Sequence, residues 1–308
     1  MASKLYISSS PHIQSAVSTA GIMRDVLIAL LPATVAGCVI FGLRALAVIA
    51  VCLVFSVGAE FLFNVIMKKE QTVGDLSAAV TGLLLALNLP ANAPLWQAAV
   101  GSVFAIIIVK CIFGGIGCNV VNPAITARVF MLIAFSEMAK SAFPIADTVS
   151  SATPLALIAE NELPSLSSLL LGTTGGTIGE TCAVALLLGA AYLLIRRVIS
   201  LHIPAAFIGT VFVMSLIIAD FDIMTAVSLV LSGGLIIGAF FMATDYVTSP
   251  MTALGKIIFG VGAGLITVLI RFYGNYPEGV SFAILLMNIV NPYIDKLTQR
   301  KLFGGSAE

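Results

Sequence analysis

The sequence predicts an all-α polytopic membrane protein with about ten transmembrane helices in two inverted five-helix repeats, joined by a long extracytoplasmic loop. Of its 308 residues, 59% are hydrophobic and only 10% are charged, and the mean hydropathy is +1.11. A soluble domain carries about 25% charged residues, so this chain has too little charge to cover a surface that faces water. Apolar runs of membrane-spanning length recur along the chain, and one polar motif occurs twice.

The apolar runs predict the individual spans. We expect ten of them, at residues 25–43, 45–67, 75–89, 95–113, 115–136, 180–196, 203–219, 223–244, 255–271 and 278–297. The run at 75–89 is short and ends at Asn88-Leu89-Pro90. A segment shorter than the hydrocarbon thickness is a tilted or incomplete span.

The basic residues predict that both termini lie in the cytoplasm. With the N-terminus inside, Lys and Arg are in clear excess on the cytoplasmic side, as the positive-inside rule requires. The residues assigned to that side are Lys4, Arg24, Lys68, Lys69, Lys110, Arg196, Arg197, Lys256, Lys296, Arg300 and Lys301, against Arg44, Lys140 and Arg271 outside. The chain therefore divides into a first membrane repeat at 1–138, an extracytoplasmic loop at 139–178 and a second membrane repeat at 179–308.

One polar motif marks the repeat. Residues 119–126 read NVVNPAIT and residues 288–295 read NIVNPYID, and each follows a glycine-containing span that ends in a cation, Lys110 or Arg271. Five spans per half is an odd number, so the second copy enters the membrane with the opposite orientation. Binding sites in such inverted repeats lie where the two copies meet.

The two prolines of this motif predict helix breaks. Proline lacks a backbone donor and clashes with the preceding turn, so we expect Pro123 and Pro292 to break the fifth and tenth helices. The freed carbonyls and the asparagine amides would then line a polar pocket, formed by Asn119, Asn122, Asn288 and Asn291. The alternative is that Asn-Pro simply caps the start of a helix.

Several classes of function are excluded. His12 and His202 stand alone, and the chain has no HExxH, no P-loop and no GxGxxG after a strand, so neither hydrolysis nor binding of NAD or ATP by this chain is expected. The net charge is zero without a basic block, which argues against nucleic acid. Five cysteines without CxxC argue against a disulfide framework or an iron–sulfur cluster, and Cys111 with Cys118 leaves a weak metal alternative.

The outer loop contains a motif that indicates a covalent modification. Residues 147–153, Asp147-Thr148-Val149-Ser150-Ser151-Ala152-Thr153, resemble the flavinylation sequence D-x-x-[ST]-G-A-T, in which FMN is linked through its phosphate to the final threonine. Ser151 stands where that pattern has glycine. Thr153 followed by Pro154 is typical of a helix start, and a helix running to about Glu160 would favour a phosphate at its N-terminus.

Charged residues inside or near spans are functional candidates, because charge within a membrane is costly. They are Glu60, Arg128, Glu137, Glu180 and Asp245. Arg128 follows Pro123 by five residues, and a cation there could contact a flavin phosphate or a reduced, anionic flavin ring. An ordinary intramembrane ion pair is the alternative for Arg128.

Together these features are similar to the D subunit of Rnf ion-translocating electron transport complexes and to the related B subunit of the sodium-translocating NADH:quinone reductase. The resemblance covers nearly the whole chain, including Ser-Ser-Pro-His at 9–12 and the loop motif. The short segment before the first span favours the Rnf family. The resemblance implies a multi-pass protein of the prokaryotic cell (inner) membrane.

The resemblance also implies the activity, the cofactors and the partners. The chain would be a membrane flavoprotein subunit, without complete activity alone, that couples electron transfer between reduced ferredoxin and NAD to Na⁺ or H⁺ translocation. FMN would be covalently bound to Thr153, and a second, non-covalent flavin (riboflavin) would lie in the membrane domain. The pocket at the two Asn-Pro motifs is the candidate site for this second flavin or for an ion. The implied partners are the A, B, C, E and G subunits, of which G carries its own covalent FMN, together with a flavin transferase and the lipid bilayer.

Other interpretations remain open on the sequence. A channel or transporter with an inverted five-helix repeat, like the urea and ammonium families, explains the repeat but not the loop motif. A quinone reductase subunit or a structural anchor for other subunits is also compatible with the spans.

Overall fold

The computed structural model describes residues 18–135, 138, 143, 153–160, 163–274 and 279–299, and within these ranges every regular element is helical. The helices are α1 Thr19–Phe41, α2 Leu43–Ile66, α3 Ser77–Leu87, α4 Leu95–Val103, α5 Pro123–Ala134, α6 Pro154–Ala159, α7 Leu166–Leu171, α8 Ala183–Ile195, α9 His202–Ile218, α10 Ile223–Leu231, α11 Leu235–Ile237, α12 Ala253–Tyr273 and α13 Val280–Thr298. Two π-helical turns, Phe104–Cys111 and Gly238–Met242, continue α4 and α11. The motif residues Asp147, Ser150, Ser151 and Ala152 lie outside the described ranges, as does Glu137.

Four of these helices are long and apolar enough to cross a membrane, namely α1, α2, α12 and α13. Helix α10 with residues 235–242 gives a fifth if the pair is one bent span. The other five predicted segments lie on helices of 11 to 17 residues or on a mixture of helix and turn. The multi-pass helical architecture is confirmed, whereas the count of ten spans and the inverted repeat stay predictions.

The surface of the helices is apolar. Leu43 is 83% exposed, Val39 is 77% exposed and Ile195 is 80% exposed, while Glu60 and Arg128 are each 1% exposed. A soluble protein rarely exposes contiguous apolar surface of this extent. This distribution is the one expected where hydrocarbon, rather than water, surrounds the helices.

The two halves of the chain meet along two helix pairs. Helix α1 packs on α8, and α5 packs on α13. Gly189 of α8 permits the first contact, because a Cβ there would lie 2.0 Å from the Ala29 carbonyl oxygen of α1. Within each half the second helix packs on the third and fourth segments, α2 on α3 and α4, and α9 on α10 and α12.

The third segment of each half is incomplete. Every residue of α3 except Ala79 is buried, and the helix ends in a loop at 88–94 that is itself mostly buried. Helix α10 stops before Ser232, and the chain turns by 64° into α11. Gly233 and Gly234 make that turn with φ of +70° and +67°, a left-handed conformation that favours glycine. The short span at 75–89 was expected to be tilted or incomplete, but the break near Ser232 was not predicted.

The two Asn-Pro motifs have different structures. Pro123 is the first residue of α5 and Asn122 is its N-cap, so the cap alternative is right there, and the predicted span at 115–136 is helical only from Pro123 onward. Pro292 lies inside the continuous helix α13, so the predicted break of the tenth helix is wrong. Pro292 removes one backbone hydrogen bond, and neighbouring groups in a membrane bundle make such a loss tolerable.

Candidate functional site

Two ends of the molecule carry the candidate residues. The loop end is formed by α6, α7 and residues 172–182, which pack on α10, on α8 and on the end of α3. The opposite end, called the first end, carries the turn at 112–122 and the connections at 196–201 and 243–252, which border one cavity. The structure thus separates Thr153, the one described residue of the loop motif, from the Asn-Pro motifs.

Thr153 begins helix α6 at the loop end. Its backbone is extended, with φ of −63° and ψ of 155°, and its Oγ1 accepts a hydrogen bond from the Ala156 N–H at 3.4 Å. Pro154 takes the first helical position and the helix ends at Ala159, with Glu160 as C-cap. The predicted helix start is confirmed. Thr153 is half-buried, and its hydroxyl is oriented by the contact with the Ala156 N–H.

Helix α6 rests on the break between α10 and α11. A Cβ on Gly233 would lie 2.6 Å from Leu155 Cδ1 and 2.5 Å from Arg271 Nη2, so both side chains reach the same point. Arg271 donates hydrogen bonds to the carbonyl oxygens of Leu229 at 2.7 Å, Ser232 at 2.9 Å and Gly233 at 3.2 Å. A cation at carbonyls that end a helix is favourable. Arg271 therefore holds the break on which helix α6 rests.

Arg271 was missed as a site residue, and Arg128 was named instead. Arg128 lies in α5, is 1% exposed and donates from Nη1 to the Met138 carbonyl oxygen at 3.2 Å. It fixes the point at which the chain leaves α5 for the loop. The signal for Arg271 was present in the sequence, since it is the counterpart of Lys110 in the second copy of the repeat.

Residues 175–182 form a buried segment below α6 and α7. The Ile178 N–H donates to the Leu89 carbonyl oxygen at 3.0 Å, and the Gly179 N–H donates to the Leu87 carbonyl oxygen at 2.7 Å. A Cβ on Gly179 would lie 2.6 Å from Leu87 Cβ, so this close approach needs glycine. The segment satisfies carbonyls at the end of α3 and brings Glu180 into the interior of the loop end.

A charge network lies at the first end. Lys110 and Glu60 form an ion pair of 2.8 Å and the two side chains are each 2% exposed. Lys110 also donates to Ser77 Oγ at 2.6 Å, and Thr72 donates to the same Glu60 oxygen at 2.8 Å. Ser77 in turn donates to Asp75. Sequence reasoning identified Glu60 but not its partner, because fifty positions separate the two residues.

The Asn-Pro motifs meet near this network. The Asn122 side chain accepts from the N–H groups of Ala124 at 3.0 Å and Ile125 at 3.3 Å, and donates to the Met242 carbonyl oxygen at 3.3 Å. Asn288, with its amide oriented to satisfy both of its groups, accepts from the Asn122 N–H at 3.1 Å and donates to the Thr248 carbonyl oxygen at 3.2 Å. The first asparagine of one copy therefore binds the second asparagine of the other.

A cavity of about 90 Å³ adjoins this contact. Asn119 and Asn122 line it, together with Lys110 and Asp245, whereas Asn288 and Asn291 do not. The predicted polar pocket thus holds two of its four asparagines. Ligand pockets measure about 300–1,000 Å³, so this cavity has the size for water or an ion and not for a flavin ring.

Asp245 lies in the wall of this cavity, in the connection after residue 242. Burial raises the pKa of its carboxyl above the usual range, and a hydrogen bond from Thr248 Oγ1 at 3.0 Å acts in the opposite direction. The protonated form of Asp245 is therefore favoured compared with a free carboxyl.

The metal alternative at Cys111 and Cys118 finds no support in the described part of the chain. Cys111 is buried and Cys118 is exposed. Within the described ranges no group of three or more His, Cys, Asp or Glu side chains could hold a metal ion.

Comparison with known proteins gives a match over nearly the whole length. Residues 6–304 match the NQR2, RnfD, RnfE family. The chain is 49% identical over 307 residues to the D subunit of the Na⁺-translocating ferredoxin:NAD⁺ oxidoreductase complex of Acetobacterium woodii, covering 97% of this chain and 95% of that protein. It is 42% identical over 319 residues to the D subunit of the proton-translocating ferredoxin:NAD⁺ oxidoreductase complex of Clostridium ljungdahlii, covering 97% and 96%. The D subunit of the ion-translocating oxidoreductase complex of Methanosarcina acetivorans is 32% identical over 302 residues, covering 98% of each chain.

Proposed function

The chain belongs to the NQR2, RnfD, RnfE family, and from that premise we propose that it is the membrane flavoprotein subunit of a ferredoxin:NAD⁺ oxidoreductase complex that translocates Na⁺ or H⁺. The observation that carries this proposal is the full-length similarity to relatives named for that reaction. The family also contains the NQR2 branch, and the relatives at 49% and 42% identity favour the ferredoxin:NAD⁺ reaction over quinone reduction.

We propose Thr153 as the attachment point of covalent FMN. The residue fits a phosphoester, because Thr153 is half-buried and its Oγ1 lies beside the helical N–H of Ala156. Phosphate is favoured beside such groups. The cavity lined by Pro154 measures only about 10 Å³, so the described residues account for the attachment atom and not for a pocket around the flavin ring. When bound, FMN would supply one- and two-electron transfer.

A second, non-covalent flavin, riboflavin, stays part of the proposal without an assigned site. The cavity at Asn119 and Asn122 does not fit it at about 90 Å³, because ligand pockets start at about 300 Å³. We assign that cavity to water or an ion. Arg128 remains a candidate flavin contact from the side of α5.

The remaining features of the proposal follow the family. The protein would lie in the cell (inner) membrane of a prokaryote, with both termini in the cytoplasm and Thr153 on the extracytoplasmic side. The A, B, C, E and G subunits would complete the electron path, with the covalent FMN of the G subunit as a neighbour, and a flavin transferase would load Thr153. The inverted repeat is supported by the matching helix pairs of the two halves, α2 with α3 and α4, and α9 with α10 and α12.

The experiment is flavin fluorescence of the denatured chain in a gel, after expression together with the flavin transferase. Wild type should fluoresce and Thr153→Ala should not. Ser165→Ala is the matched control, because Ser165 is also a helix N-cap in the same loop, accepting from the Ser168 N–H. Fluorescence that survives in Thr153→Ala would contradict the assignment, and a dark wild type would contradict covalent flavin altogether.

A further inference from the structure

The loop end contains two small polar cavities that share one carboxylate. Each measures about 10 Å³, which is about the space of one water molecule. The outer cavity lies beside Pro154, Thr181 and Ser232, and the inner one beside Asn88 and Ser281. Glu180 lines both. The carboxylate therefore stands between a space next to the attachment helix and a space inside the bundle.

Thr181 supplies an independent indication of a ligand. The residue is 4% exposed, it lines the outer cavity, and its Oγ1 has no hydrogen-bond partner within the described ranges. A buried hydroxyl without a partner is unfavourable, because it has lost its hydrogen bonds to water. An occupant of the outer cavity that accepts or donates a polar contact would remove that cost.

The other walls offer oxygen ligands. Thr177 is 6% exposed and donates from Oγ1 to Glu180 Oε2 at 3.2 Å. The Asn88 amide nitrogen is engaged by the Leu84 carbonyl oxygen at 2.7 Å, so the amide oxygen is its remaining polar group. Ser281 is 8% exposed and lines the inner cavity. Carboxylate, hydroxyl and amide oxygens are the ligands of hard cations.

The cavities lie at a broken span. Discontinuous membrane helices are a recurring setting for Na⁺ and H⁺ sites, and the break between α10 and α11 borders both cavities. Here the carbonyls of Ser232 and Gly233 are taken by Arg271, so side chains rather than the backbone must hold a cation. Arg271 is also the cationic side chain that faces the break from α12, and its charge weakens retention of a second cation. A conducting site needs binding that is weak enough for release.

We propose that Glu180 is the carboxylate of a transfer site for the translocated monovalent cation, Na⁺ or a hydrated proton, at the loop end. Glu180 takes the cation from the inner cavity and delivers it to the outer one, with Thr177 and Thr181 as flanking oxygens. For a proton, the carboxylate binds H⁺ from a hydronium and leaves water, then returns H⁺ to water on the other side. For Na⁺, the carboxylate is a ligand and no covalent bond changes. This inference rests on the proposed ion translocation and not on the flavin.

The test uses the whole complex in proteoliposomes. Ferredoxin-driven NAD⁺ reduction measures the electrons transferred, and either ²²Na⁺ uptake or the internal pH measures the cations moved. Glu180→Gln should lower the cations moved per electron by about tenfold, the loss expected when a charge-assisted contact is removed. Glu160→Gln is the matched control, since Glu160 is exposed at the end of α6, and should equal wild type.

A second pair of variants identifies the cation. If Na⁺ is carried, Glu180→Asp should raise the Na⁺ concentration for half-maximal transport. If protons are carried, Glu180→Asp should change the pH profile and leave the Na⁺ dependence unchanged. If Glu180→Gln fails to assemble, Thr181→Val decides, with a loss of about threefold to tenfold expected from its lost hydroxyl contact.

The inference would be overturned if Glu180→Gln kept the wild-type ratio of cations to electrons in both assays. Where Thr181→Val decides, the same result in that variant would overturn it. In-gel flavin fluorescence of the same samples separates this result from the flavin assignment. A wild-type chain without flavin fluorescence would refute FMN at Thr153. A transport defect in Glu180→Gln would still support the cation site in that case.

Discussion

The carboxylates at the two ends of the molecule have different surroundings. At the first end, Glu60 is 1% exposed and receives Lys110 and Thr72 on one oxygen, each at 2.8 Å. At the loop end, Glu180 receives Thr177 at 3.2 Å and lies between two water-sized cavities. A carboxylate closed in by a lysine is part of the structure, because removing its partner leaves a costly buried charge. A carboxylate beside polar space can exchange its occupant.

The largest expected effect is on the stability of the first end. Lys110→Met leaves Glu60 buried without its cation and should lower the free energy of unfolding by about 3–5 kcal/mol. Denaturant unfolding of the purified chain in detergent measures this. The double variant Lys110→Met with Glu60→Leu should regain most of the loss, because no unpaired charge remains. A single variant as stable as wild type would break the contrast between the two ends.

A smaller effect is expected at the meeting point of the Asn-Pro motifs. Asn122→Ala removes the cap of α5 and the bond to the Met242 carbonyl, which should cost about 1–2 kcal/mol. Asn291→Ala is the matched control from the other motif, since Asn291 Oδ1 has no partner within the described ranges. Its loss should be clearly smaller in the same unfolding experiment. Equal losses would mean that the two motifs contribute alike, contrary to the structure.

At the loop end, Glu180→Gln should change stability by about 1 kcal/mol, less than Lys110→Met, because the amide has the shape of the carboxyl and its oxygen can still accept from Thr177. The variant would then lose transport without losing the fold. A stability loss as large as that of Lys110→Met would show that Glu180 is a structural group like Glu60, and would remove the difference between the ends.

The smallest effect concerns Asp245, which lies in the wall of the cavity at the first end. Burial raises its pKa, so the folded state binds the proton more tightly than the unfolded state. Stability is therefore highest below the ordinary pKa of about 4 and falls as pH rises from there through the raised value. Asp245→Asn should flatten this part of a melting-temperature profile against pH. An unchanged slope would mean that the carboxyl is solvated.

Local signals allowed parts of the site to be predicted from the sequence. Thr153 and Pro154 begin a helix as expected, because an N-cap threonine and a proline at the first position act within one turn. The apolar runs located the membrane helices for the same reason. The pairing of Glu60 with Lys110 and the contacts of Arg271 depend on helix packing. No short-range sequence pattern predicts such contacts.

The two Asn-Pro motifs show that the same sequence pattern can adopt two different structures. Before Pro123 the chain contains Gly114, Gly115 and Gly117, all with positive φ, so the helix has already ended and Asn122 starts a new one. Before Pro292 the residues Val280–Asn291 contain no glycine or proline, and the helix continues through the proline. The flanking glycines, rather than the motif, decide between a cap and a continuous helix.

The attachment of FMN to Thr153 is the central claim, and mass spectrometry tests it most directly. The chain is purified from cells that express the flavin transferase, digested, and the peptide that contains Thr153 is weighed and fragmented. We expect this peptide to carry the mass of one FMN less one water, with the fragment ions placing it on Thr153. An unmodified Thr153 peptide from a transferase-containing cell, or a flavin on another residue, would contradict the account.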